Sequence, residues 1–142
     1  MIQIDNALLD ELTRKAKESP RLRMNYDLLT SSEDTSQRML NALEPGTMVP
    51  IHRHTKSTEV VVMLRGKGVQ HMYDVAVGPD GERVVVETGQ VMLEAGGACC
   101  AMSVGVGEWH RLEALESGTI IFEAKDGKYE PVKEEDVVTE KM

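Results

Sequence analysis

Hydrophobic spacing changes once, near the start of the chain, and that change predicts most of the fold. Leu8, Leu9, Leu12 and Ala16 recur at intervals of three and four, which lays one apolar stripe along a helix. Asp5 or Asn6 can cap its start and Pro20 ends it, so a helix is expected over residues 5–19. From Arg21 to Tyr26 polar and apolar residues alternate strictly, the mark of a half-buried strand. Arg21, Arg23 and Asn25 share one face by that alternation; Leu22, Met24 and Tyr26 share the other. Residues 30–36 read as a polar loop, 37–43 as strand or helix, and Glu44-Pro45-Gly46 as a turn. Strands are expected over 49–54, 59–65 and 67–77. After a hairpin turn at Gly78-Pro79-Asp80-Gly81 they continue over 83–88, 91–94, 109–115 and 119–125.

Short strands at regular spacing with turns between them predict an all-β sandwich or barrel. The chain divides into an N-terminal helix and edge strand (1–30), a β-barrel (37–130) and an acidic C-terminal tail (131–142). That tail reads as loose, or as a short strand followed by a loose end. All of this is one domain. An exposed first strand invites pairing, and a homodimer adding it to a partner's sheet would supply that.

Composition narrows the classes of function. The 142 residues are enough to bury a core without disulfides. A net charge of −8 with no Lys/Arg run makes a poor nucleic-acid binder and a poor ligand for anionic membranes. Aromatics at 4% leave few platforms for base stacking. No stretch is long and apolar enough to span a membrane, and the start lacks the apolar core of a secretory signal. The only cysteines, Cys99 and Cys100, are adjacent and poorly placed to bridge, so a cytoplasmic setting is expected. Their apolar neighbours, Ala98 and Ala101-Met102, predict buried, inert thiols.

The candidate chemistry sits on three histidines and a glutamate. His52 and His54 flank Arg53, and period-two alternation places both rings on one face. A polar loop at 55–58 lets Glu59 open the next strand toward the same interior. His110 shares its face with Leu112 and Ala114, which points it inward. A lone inward His is more often a hydrogen-bonded core residue, so spacing alone leaves metal and structural readings evenly matched. Three imidazoles and a carboxylate suit a divalent first-row metal: Fe, Mn, Ni, Co, Cu or Zn.

The stretch Gly46, His52, His54, Glu59 and Gly66, with five, one, four and six residues between, resembles the first motif of the cupin superfamily at every fixed position. Gly107 and His110 match the second motif; Cys99, Gly105 and Ala114 stand where Gly, Pro and Asn are usual. The resemblance implies a jelly-roll barrel with His52, His54, Glu59 and His110 as metal ligands. A narrower resemblance covers residues 19–25, 41–47, 108–110 and 122–129, which look like the WbuC family of cupin-fold metalloproteins. Members of that family are typically encoded among genes for O-antigen or other surface polysaccharide synthesis, so the resemblance implies such a role here.

Other residues are candidates for holding a substrate. Arg21 and Arg23, with Asn25, can orient an anionic, sugar-like small molecule; a solvated strand face is the equal alternative. His71 can serve as an acid/base group, though a structural role is the stronger expectation. Lys125 and Tyr129 follow the final strand and can close the barrel mouth, or lie on the surface. Trp109 is turned away from the site by its neighbour His110. The functions expected are a metal-dependent isomerase or oxygenase acting on a small polar molecule, or a non-catalytic, metal-dependent binding or regulatory module. A barrel with vestigial ligands is disfavoured, because buried ionisable groups are costly unless used or paired.

Overall fold

In the computed structural model, which describes residues 1–139, one helix precedes two β-sheets. Helix α1 (Asn6–Glu18) is capped by Asp5, whose carboxylate accepts the Leu8 N–H at 3.0 Å. The strands are β1 (Arg23–Asp27), β2 (Ser36–Leu43), β3 (Ile51–His52), β4 (Glu59–Arg65) and β5 (Lys67–Val77). There follow β6 (Arg83–Glu94), β7 (Ala101–Val104), β8 (Trp109–Ala114), β9 (Thr119–Asp126) and β10 (Val137–Val138). They form two five-stranded antiparallel sheets, ordered β1-β2-β9-β4-β7 and β10-β3-β8-β5-β6.

Apolar residues form two layers, one between the sheets and one between the first sheet and the helix. The residues Leu43, Val61, Met63 and Ile121 of the first sheet meet Leu93, Leu112 and Ala114 of the second. On the first sheet's other face Leu40, Ala42 and Ile120 are covered by Leu9, Leu12 and Ala16 of α1. Each such Leu or Ile contributes roughly 1.5–3 kcal/mol by leaving water. The inter-sheet layer is apolar at one end only; toward the other, the same inward positions carry the polar groups of the site.

Several elements differ from the pattern's forecast. Residues 83–94 are one strand, carried past Gly89 by a register shift opposite Met72 and Tyr73. Strand β7 was not foreseen, because its four residues follow a Gly-rich stretch. The cysteines beside it are exposed and unbridged, which corrects the expectation of buried thiols. Strand β1 begins at Arg23 rather than Arg21, because Leu22 adopts a left-handed backbone (φ 57°) and breaks the alternation. The C-terminal segment takes the short-strand alternative. It turns through 134–136 and pairs β10 with β3, Val137 opposite His52. Asp136 holds it there, accepting the Arg53 N–H on its carbonyl at 3.0 Å and Arg53 Nε on its carboxylate at 2.8 Å. Residues 140–142, the end of the expected tail, lie outside the described residues. Among the described residues no helix is long and apolar enough to cross a membrane.

Gly66 shows why the link between β4 and β5 needs glycine. Its φ is +80°, and a Cβ there would lie 2.3 Å from Thr119 Oγ1 and 2.8 Å from Thr119 Cα. Backbone at that distance cannot swing away. Gly66→Ala is therefore expected to destabilise the fold by about 2 kcal/mol or more. Urea unfolding checks this as a lowered midpoint; an unchanged midpoint contradicts it.

Candidate metal centre

Antiparallel pairing sets His52 of β3 directly opposite His110 of β8, with ring centroids 4.4 Å apart. His54 follows β3 and brings its ring to 5.0 Å from His52 and 5.5 Å from His110. Its carbonyl accepts the Gly107 N–H at 2.8 Å, which ties the two histidine segments together. Gly107 makes that turn with φ +80°. Glu59, the first residue of β4, enters from the opposite sheet, so both sheets contribute to one cluster. One ligand atom from each of His52, His54, Glu59 and His110 lies within 4.8 Å of all the others.

The rings are fixed from behind. His52 Nδ1 lies 2.8 Å from the Pro50 carbonyl and His110 Nδ1 2.9 Å from the Glu108 carbonyl. A carbonyl only accepts, so each Nδ1 carries a hydrogen, and the neutral ring presents its Nε2 lone pair inward. His110 Nε2 is 3.3 Å from Glu59 Oε2. His54 Nε2 is 3.0 Å from the same oxygen, yet it is buried without hydrogen-bond geometry. Converging lone pairs, a carboxylate and an unsatisfied ring nitrogen fit a divalent cation.

Electrostatics separate these groups. Burial, then the neighbouring His110, pushes His52 down to about 4, so its ring is neutral at ordinary pH. Burial acts the same way on His110 and is the largest single influence, but the hydrogen bond to Glu59, the Glu59 charge and the Glu108 carbonyl together outweigh it and the net shift is upward. Glu59 would be raised by burial, yet the His110 and His54 rings hold it well below the usual carboxylate range.

A cavity of about 230 Å³ opens on the cluster and takes in His52, Glu59 and His110. Of the sequence-derived substrate candidates, Arg23, Asn25, Lys125 and Tyr129 line it. Arg21 does not: it is exposed, thrown off the strand by the turn at Leu22. His71 does not either. It occupies the opposite face of β5, where it lies between Glu87 (2.5 Å) and Glu113 (3.1 Å). Trp109 likewise faces away, with Arg53 stacked on its ring at 4.7 Å.

Three polar lining residues were missed: Asn41, Gln70 and Glu123. Strand parity alone carried their signal. Glu123 lies between Ile121 and Lys125 on β9, and Asn41 two residues before the inward Leu43. Gln70 pairs with Leu112, one step along the same face from His110. Burial, and then the Glu59 charge, push Glu123 up to about 7. Asn41 Nδ2 donates to Glu123 Oε2 at 3.1 Å.

Several solved structures are similar to this chain in fold. An oxalate oxidase in complex with the substrate analogue glycolate aligns with a TM-score of 0.58 at 12% identity, over 79% of this chain and 54% of that one. The chain thus spans about half the length of that enzyme. A Bacillus halodurans protein aligns with a TM-score of 0.57 at 15% identity, over 93% of this chain and 86% of that one. KdgF from Halomonas sp. aligns with a TM-score of 0.52 at 12% identity, over 78% and 84%. At such identities the likeness is one of fold, and the fold is that of cupin proteins. No curated protein sequence matches. Residues 4–83, more than half of the chain and including His52, His54 and Glu59, match a protein family defined so far only as a domain of unknown function. The chain belongs to that family, DUF6016.

Proposed function

We propose that the two sheets close as a jelly-roll barrel around a divalent transition-metal centre held by His52, His54, Glu59 and His110, and that the protein acts on a small polar anion there. One observation carries the reading: two Nδ1 hydrogens are committed to carbonyls while the ligand atoms of all four residues converge within 4.8 Å. Structural histidines do not need that orientation; metal ligands do. The mixed nitrogen and oxygen donors suit Fe, Mn, Ni, Co, Cu or Zn. Once bound, such an ion polarises a carbonyl or hydroxyl oxygen placed against it.

The protein's own groups supply the rest. Arg23 and Lys125 put two cations into the cavity of an acidic protein. Arg23 NH1 is anchored on Thr47 Oγ1 (3.3 Å) and the Met48 carbonyl (3.1 Å), which orients the guanidinium. Both favour a carboxylate or phosphate. Oxalate oxidase, one of the similar folds, acts by its name on a small dianion. A sugar-derived acid of surface polysaccharide synthesis, the class that the WbuC resemblance implies, meets the same requirements.

Protein purified with these ions supplied is expected to hold one equivalent of metal. His52→Ala and His110→Ala each weaken it more than about 100-fold, beyond the 10–100-fold cost typical of losing an outer partner of a ligand. His71→Ala leaves it unchanged. Metal analysis of the three variants checks this, and full retention in His110→Ala contradicts it.

Metal affinity should also fall with pH in a defined direction. A ligating imidazole must be unprotonated. His110 is shifted upward, so it must release a proton when metal binds at and somewhat above pH 6.5. His52, lowered to about 4, releases none in that range. Competition with a chelator between about pH 8 and pH 5 should show affinity falling as pH drops. A flat profile contradicts the assignment.

A further inference from the structure

Two buried acceptors in the cavity have no hydrogen-bond partner among the described residues. Gln70, 1% exposed, carries an Oε1 with no hydrogen-bond partner among the described residues, and so does Asn41 at Oδ1. Both line the cavity. With Asn41 Nδ2 donating to Glu123 Oε2 at 3.1 Å, it is Oδ1 that is left without a partner. A buried acceptor left unpaired costs about 1–3 kcal/mol, so such groups are normally satisfied by protein, water or ligand. The two oxygens come from opposite sheets: Gln70 lies on β5, and Asn41 on β2 beside Asn25 of β1. The cations of the cavity, Arg23 and Lys125, stand on the same sheet as Asn41.

An anion alone satisfies only half of this lining. A carboxylate suits Arg23 and Lys125 but has no hydrogen to give Gln70 or Asn41. A neutral polyol suits the amide oxygens but brings no charge to Arg23, and leaves Lys125 facing only Glu59 and Glu123. At about 230 Å³ the cavity is smaller than the ~300–1,000 Å³ of typical small-molecule sites, which limits the occupant to a short chain.

We propose that the cavity selects a short hydroxylated carboxylic acid, its carboxylate held by Arg23 and Lys125 and its hydroxyls donating to Gln70 Oε1 and Asn41 Oδ1. Gln70 and Asn41 are then the residues that determine specificity. This rests on the metal-site reading for what the protein does with the acid, but not for which acid it holds. A site built to pair a hydroxyl rejects the analogue lacking it far more strongly than an apolar pocket rejects an added one.

Calorimetric titration of the metal-loaded protein with glycerate, propionate and glycerol tests the proposal, with metal content measured on every sample. Glycerate is expected to bind at least tenfold more tightly than either of the others. In Gln70→Leu that preference over propionate should fall at least tenfold while propionate affinity is unchanged. In Arg23→Gln both acids should weaken together. Equal affinity of wild-type protein for glycerate and propionate overturns the proposal without requiring any variant to fold. No binding of any of the three probes overturns it too, as does an unchanged preference in a folded Gln70→Leu. A hydroxyl could also prefer the site by chelating the metal, and Gln70→Leu would then leave the preference intact. Absence of metal from all samples defeats the function proposed above; glycerate preference in those same samples is read separately.

Discussion

The Nδ1 atoms of His52 and His110 lie 2.8 and 2.9 Å from the carbonyls of Pro50 and Glu108, and that pairing decides what the cavity can hold. Each ring gives its Nδ1 hydrogen to the backbone, so each, once neutral, turns an Nε2 lone pair inward. Had either ring been reversed, the cluster would present an N–H to a cation and be useless as a ligand. The carbonyls in turn are placed by strand ends. β3 is only two residues long, held by β8 on one side and by β10 on the other. The C-terminal segment therefore buttresses a ligand, and Arg53 is the bolt, bonded to Asp136 and stacked on Trp109.

Placing this cluster between sheets has a cost that the surroundings explain. A carboxylate at Glu59 and a second at Glu123 share one inward face of β4 and β9. Two buried negative charges repel, and the outcome is asymmetric. Glu59, against the imidazoles, stays ionised, while Glu123 is driven toward its neutral form. Lys125 offsets part of both charges. The net charge of −8 thus describes the outer surface, and the cavity follows different arithmetic. An acidic protein can offer an anion two cations and a metal, provided they face inward.

Much of this was legible in the chain. The spacing from Gly46 to Gly66 picked out three of the four residues that converge, and its closing glycine has a geometric reason: Gly66 must pass Thr119 at a distance no side chain allows. Alternation also grouped Arg23 with Asn25 on one face and pointed His110 inward, while the polar loop at 55–58 let Glu59 turn to the same interior. It failed at Arg21 because one residue, Leu22, leaves the extended conformation, and parity counted through such a break loses its meaning. His71 misled as a substrate candidate because titratable character says nothing about which face a residue occupies. The register of β5 on β8 decides it: Gln70 pairs with the inward Leu112 and His71 with Arg111. Gln70, Asn41 and Glu123 went unread because an amide or carboxylate in a strand looks like a solvent-facing residue until tertiary packing closes over it. Cys99 and Cys100 erred in the other direction, apolar by neighbourhood yet exposed.

The central claim is that three imidazoles and one carboxylate converge on a single ion, and X-ray absorption at the edge of the bound metal measures that most directly. The account predicts the outer-shell scattering of three imidazole rings, with nitrogen at about 2.0–2.1 Å if the ion is Zn. In His110→Ala one ring should be lost from that signal. A first shell with one imidazole or none, or a spectrum unchanged by His110→Ala, would contradict it.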